Sequence, residues 1–189
     1  LFDEYTGFGM GVTAENLAEK YSISREEQDE YAVHSHQRAA KAQESGRFAE
    51  EIVPVEVASR RQKLIIDKDE HVKPDTNVEK IKNLKPTFKK DGTVTAANAS
   101  GINDGAASLV IAGENAVNAN GMKPLAEIVS WATAGVDPKI MGIGPVPAIQ
   151  QALNKANLTI EDMDIVEVNE AFAAQYLAVE KELNLDREK

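Results

Sequence analysis

Asn169 and Glu170 stand side by side where an apolar run, Ile165-Val166-Glu167-Val168, gives way to Ala171-Phe172-Ala173 and a helical pattern. An amide and a carboxylate at the carboxyl end of a strand occupy the place where open α/β sheets receive ligands. A helix starting at Glu170 would add free N–H groups and a dipole that favours developing negative charge, so the pair could serve an oxyanion. The same residues have a plainer reading, because asparagine is also a preferred helix N-cap. A second segment of small residues, Ala96-Ala97-Asn98-Ala99-Ser100-Gly101, could let the backbone lie close to a ligand while Ser100 offers a hydroxyl. Its alternative is a tight packing corner between two domains. His34 and His36 are two apart on a predicted helix and point to different faces, so they cannot chelate together. They and His71 are expected at the surface, with no metal site.

The elements that must position these residues follow from periodicity. Gly7-Phe8-Gly9-Met10-Gly11 leads into a short helical pattern over residues 13–21. Ser24 followed by Glu27 is a capping box, and Gln28, Tyr31, Ala32, Ser35, Ala39 and Ala42 repeat at helical spacing up to Gly46. That buried stripe is made mostly of small side chains, which predicts close packing against a neighbour. Residues 52–57, interrupted by Pro54, read as an edge strand and residues 64–66 as a second, joined through the basic turn of Arg60, Arg61 and Lys63. Residues 67–91 are charged, contain Pro74 and Pro86 and show no period, so an irregular surface segment is expected. Beyond the small-residue segment the pattern predicts a buried strand at 108–111, a short helix to Asn120 and a strand over 126–132. A helix over 147–156, a strand over 164–168 and a final helix complete it. Strands alternating with helices indicate α/β layers.

Composition bounds the chemistry. The 189 residues are 42% hydrophobic, enough for a core, and carry a formal net charge of -10, which disfavours a nucleic-acid partner. No apolar run approaches the roughly 20 residues that span a bilayer, so no membrane partner is expected. A basic flank and signal-like core are absent at Leu1-Phe2-Asp3-Glu4-Tyr5, and a cytoplasmic location is the expectation. The chain starts with Leu1 and ends just after a helix with no closing strand, so both ends read as cut from something longer. With no cysteine, thiol catalysis within these residues is excluded.

Gly9-Met10-Gly11 running into Thr13-Ala14-Glu15-Asn16, then Ser24-Arg25-Glu26-Glu27-Gln28-Asp29 and Gly46-Arg47-Phe48, form one ordered series. Asn98-Ala99-Ser100-Gly101-Ile102-Asn103-Asp104-Gly105-Ala106-Ala107, Ser130-Trp131-Ala132-Thr133, Gly142-Ile143-Gly144-Pro145 and Asn169-Glu170-Ala171-Phe172-Ala173 continue it. Over nearly the whole chain this series resembles the thiolase family, and its spacing is most similar to the biosynthetic, acetyl-CoA-condensing type.

The resemblance implies part of a layered α/β thiolase-like fold with a coenzyme-A-binding loop domain. Residues 1–100 would be the loop domain, 101–122 the end of the N-terminal thiolase domain and 123–189 the truncated start of the C-terminal one. The implied reaction is a reversible Claisen condensation of two acetyl-CoA to acetoacetyl-CoA plus CoA, in which one cysteine is acylated and a second thiol activates the attacking acyl-CoA. Coenzyme A thioester is then a substrate, no separate cofactor is implied, and a homodimer or homotetramer is expected of the full-length protein. Alternatives are a degradative 3-ketoacyl-CoA thiolase and a non-catalytic coenzyme-A-binding module.

Carried onto this sequence, Asn169 would hold a water in the oxyanion hole, with Glu170 a structural carboxylate beside it. Ser100 and Ala96 would contact the pantetheine arm. Met10, Met141, Ala171 and Phe172 would line the acyl end, and Leu1 and Lys85 the adenine and phosphate end. Gly9 stands where relatives often carry histidine. The family's nucleophilic cysteine is expected upstream of Leu1, its histidine and second cysteine beyond Lys189.

Overall fold

The computed structural model describes residues 2–58 and 62–189. Leu1, Arg60 and Arg61, to which the sequence assigned a ligand contact and a basic turn, lie outside the described residues.

Helix α1, Met10–Lys20, follows Gly9 in extended conformation and buries Ala14, Leu17 and Ala18 on one face. Helix α2, Arg25–Glu44, starts at the capping box expected from sequence: the Ser24 side chain accepts from the Glu27 N–H and the Glu27 side chain from the Ser24 N–H. Its buried face includes Gln28, Asp29, Tyr31, Ala32 and Val33. Strands β1, Val55–Ala58, and β2, Lys63–Ile66, form an antiparallel hairpin with Val55 opposite Ile66. Pro54 lies just outside the ladder, where its missing N–H costs no hydrogen bond. Short helices α3, Val78–Ile81, and α4, Glu114–Ala119, punctuate the middle of the chain. A 3-10 turn at Pro138–Ile143 leads into α5, Pro145–Ala156, and the last helix is α6, Ala173–Leu183.

The core forms where α1, the Pro138–Ile143 turn and α6 meet, around Leu17, Ile143, Ala174, Leu177 and Ala178. Small residues allow the close approach. A Cβ on Gly142 would stand 2.6 Å from Gln175 Cγ and 2.9 Å from Leu17 Cδ1, so only glycine fits between the two helices.

Two expectations are corrected. Residues 108–111, 126–132 and 164–168, expected as strands, belong to no sheet; the hairpin is the sole sheet among the described residues. Most of their apolar side chains are turned out, with Val110 92% and Trp131 70% exposed, while Val168 packs against the core. A strand exists only through a hydrogen-bonded neighbour, and none of the described residues lies alongside in register. The last helix begins at Ala173, not Glu170, because the residues before it are held extended by another segment.

Candidate functional site

The small-residue segment and the Asn-Glu corner, about seventy residues apart in the chain, lie side by side. Ala99 and Phe172 form an antiparallel bridge; the Ser100 N–H donates to Ala171 O at 3.0 Å and the Ala173 N–H to Asn98 O at 3.0 Å. Phe172 is therefore extended (φ -146°, ψ 144°) and is itself the N-cap position of α6, without a side-chain cap. Asn169 does not cap this helix, which removes its plainer reading. The first N–H of α6 is bonded to Asn98 O, so this donor of the helix terminus is already used.

The turn that delivers Ser100 is fixed from below. Asn98, buried, accepts from the Thr95 N–H at 2.8 Å, and its Nδ2 donates to Asp29 Oδ1 at 2.9 Å and to Thr93 O at 3.1 Å. Asp29 is in turn paired with Arg25 one helical turn earlier at 2.7 Å. Glu15, buried on α1, accepts from the N–H groups of Thr93 and Val94 and from the Thr93 hydroxyl at 2.8–3.0 Å. Two buried carboxylates, each with its oxygens satisfied, thus anchor the turn to α1 and α2.

Glu170 is held from the other side. Tyr31 Oη donates to Glu170 Oε1 at 2.5 Å and Ser35 Oγ to Glu170 Oε2 at 2.6 Å. Tyr31 and Ser35 are one turn apart on α2, which places both hydroxyls on one face. The Tyr31 ring stacks on Tyr176 of α6 at 4.3 Å with the Arg187 guanidinium 5.7 Å from its centre. Burial, followed by the bond to Glu170, pushes the Tyr31 phenol well above its ordinary range, so it stays a donor. A cavity of about 410 Å3 opens beside this cluster, lined by Ser35, His36, His71, Ser100, Gly101 and Glu170 among others.

The structure brings together Ser100, Glu170, Ala171 and Phe172. Asn169 lies next to them, its side chain exposed and without a hydrogen bond among the described residues. Ala96 is exposed on the turn that Asn98 closes. Met10 opens α1 beside Gly11, over which the Phe88 ring lies; a Cβ on Gly11 would stand 2.2 Å from that ring. Phe88 meets Phe172 edge-on at 6.0 Å, so these aromatics form an apolar wall next to the corner. Met141 sits exposed in the 3-10 turn and Lys85 is exposed in the segment after α3; neither lines the cavity beside Ser100. His34 and His71 are exposed as expected; His36, half-buried, accepts from the Lys73 N–H at 3.3 Å and lies 6.1 Å from the His71 ring, and both His36 and His71 line the cavity.

A family profile described as thiolase, N-terminal domain, matches residues 1–115, and one described as thiolase, C-terminal domain, matches residues 122–189. The chain belongs to the thiolase family. It is 53% identical over its whole length to the mitochondrial 3-ketoacyl-CoA thiolase of Rattus norvegicus and 50% identical, over 98% of its length, to the acetyl-CoA acetyltransferase of Paracoccus denitrificans. It covers 48% of each of those two proteins, so it spans about half the length of the curated relatives it matches. Among solved structures, the Bacillus anthracis acetyl-CoA acetyltransferase superposes with a TM-score of 0.94 at 57% identity, over 100% of this chain and 48% of that one. Human mitochondrial 3-ketoacyl-CoA thiolase in complex with CoA superposes with a TM-score of 0.91 at 53% identity, covering 100% of this chain and 47% of that one.

In this thiolase chain the residues that sequence reasoning passed over are Tyr31 and Ser35, which grip Glu170, Glu15 and Asp29, which carry the Ser100 turn, and Phe88. Asp29, near the start of α2, is a buried acceptor of Asn98. Its one signal was polarity on the stripe that the helical period buries.

Proposed function

We propose that the protein containing this chain is a thiolase-type acyl-CoA acetyltransferase, and that these residues supply its coenzyme-A-binding and oxyanion parts. The observation that carries the reading is the pairing of residues 98–100 with 171–173, which sets Ser100 against the Asn169-Glu170 corner in a chain of this family. In the proposed complex Ser100 and Ala96 meet the pantetheine arm and Lys85 the phosphate end. Met10, Met141, Ala171 and Phe172 surround the acyl group, and Asn169 orients the water that faces the enolate oxygen. Coenzyme A thioester is the substrate and no further cofactor takes part. A preorganised donor of this kind contributes about 2.7–4 kcal/mol where one has been removed in another enzyme.

The chain by itself contains no cysteine, so it has no thiol to acylate. Turnover is expected from the gene product that contains it, as a dimer or tetramer, and not from the 189 residues alone.

The relatives bear both names, acetyl-CoA acetyltransferase and 3-ketoacyl-CoA thiolase, at similar identity, which keeps a degradative enzyme as the second reading. Thiolysis of acetoacetyl-CoA and of a long-chain 3-ketoacyl-CoA by the gene product separates them: activity on acetoacetyl-CoA alone supports the biosynthetic reading. Tight coenzyme A binding with no turnover on either substrate would replace both with a non-catalytic binding module.

A further inference from the structure

The Asn169 side chain makes no hydrogen bond among the described residues, so whatever direction it has comes from its neighbours. Those neighbours are held at two points. Ala171 is tied to Ser100 through the backbone, and both oxygens of Glu170 are occupied by hydroxyls from α2. A carboxylate accepting two short O–H bonds is a charge-assisted clamp with a defined orientation, unlike a single neutral bond. The clamp is itself braced: the Tyr31 ring stacks on Tyr176 at 4.3 Å and carries the Arg187 guanidinium 5.7 Å from its centre, so the phenol approaches Glu170 from a held ring.

We infer that Tyr31 and Ser35 are positioning residues that act through Glu170, and that their hydroxyls fix the Asn169-Glu170 peptide relative to Ser100. Neither hydroxyl touches the reacting atoms. The inference rests on the acyl-transfer reading above for its catalytic meaning, but the clamp is a property of the chain and is measurable without turnover.

The test uses the gene product that contains these residues and its variants Y31F, S35A, Y31F/S35A and S35T. Y31F keeps the ring and its stack and removes only the hydroxyl; S35T keeps a hydroxyl. In the ligand-free state, backbone amides of Asn169 and Glu170 are expected to be rigid, with order parameters near about 0.85, and to fall below about 0.6 in the double variant. The α1 and α6 amides stay unchanged and S35T behaves as the parent. With acetyl-CoA as the probe, the parent shows a shift of the Asn169 side-chain amide signal. The double variant loses that shift while its affinity for acetyl-CoA stays within about twofold, since the pantetheine contacts at Ser100 are untouched, whereas a purely structural defect would move affinity and melting temperature together.

Unchanged order parameters at Asn169 and Glu170 in the double variant overturn the clamp. If the double variant does not fold, the same reading is taken from Y31F against S35T, and equal rigidity in both overturns it. Rigid amides in the parent with no response of Asn169 to acetyl-CoA sink the function proposed above and leave the clamp standing, so the two failures are told apart.

Discussion

Asn98 ties the turn that delivers Ser100 to α2. Its amide uses an acceptor and both donors on three residues from two places: Thr93 and Thr95 in the turn and Asp29 on α2. Replacing it with alanine leaves a buried carboxylate oxygen and a buried N–H without partners, so N98A is expected to lower unfolding free energy by about 2–3 kcal/mol. Urea denaturation followed by circular dichroism measures this; a loss below about 0.5 kcal/mol would mean that water replaces the amide. His36 adds a pH dependence. Burial first, then His71 and Lys73, holds its pKa below the ordinary imidazole value of 6.5. Its ring also accepts the Lys73 N–H, which a protonated Nδ1 cannot do. A depressed histidine pKa means that the unfolded chain binds the proton more readily, so stability rises with pH through this window. Loss is expected to begin as pH falls through about 6.5, the unfolded value, and to level off below the folded value. Melting temperatures from pH 8 to 5 should fall less in H36Q than in the parent; parallel curves would assign the dependence to another group.

At the scale of elements, glycine decides how closely helices meet. G142A places a methyl group against Gln175 and Leu17 and is expected to cost about 1–3 kcal/mol through separation of α1 and α6, as overpacked cores do. Thermal unfolding reads the loss directly, and an unchanged midpoint would show that Gln175 swings aside. The local elements were legible in the amino-acid order because their signals are local: the Ser24 and Glu27 capping box and the small-residue stripe of α2 hold, and the strands expected at 52–57 and 64–66 are present as Val55–Ala58 and Lys63–Ile66. What failed has a single cause. The stretches around Leu109, Ile128 and Ile165 carry strand-like apolar patterns, but pairing needs a partner that is no neighbour in the chain. Likewise Asn169 looks like a cap until the 98–100 segment, far away in sequence, bonds Ala171 O and holds Phe172 as extended backbone. The Tyr31 and Ser35 bonds to Glu170 join residues 139 and 135 positions apart, a relation that no spacing rule contains. The family resemblance named Ser100 and the corner as one site; it was silent on what holds them.

The whole molecule presents an unusual outer surface. Leu109, Val110, Ile111, Ile128, Val129 and Trp131 are all exposed, in segments whose backbone groups have no sheet neighbours. Such edges template association. The isolated 189-residue chain is expected to self-associate at micromolar concentration and to bind an apolar dye, and sedimentation velocity across a dilution series measures the first. Trp131, the single tryptophan, should emit as a water-exposed indole when dilute and shift to the blue as the species grow. A concentration-independent monomer with buried Trp131 would contradict the exposed surface. The packing of α1 against α6 also sets a clock for folding. These helices come from the two ends of the chain, so the core is made of contacts with very large sequence separation, the kind that close slowly. During synthesis, at about 5–20 residues per second, α1 emerges on the order of ten seconds before the helix it packs against. Through that interval Leu17 lacks the α6 side chains that pack against it in the folded chain, and the nascent chain is a client for whatever in the cell shields apolar helices until their partners arrive.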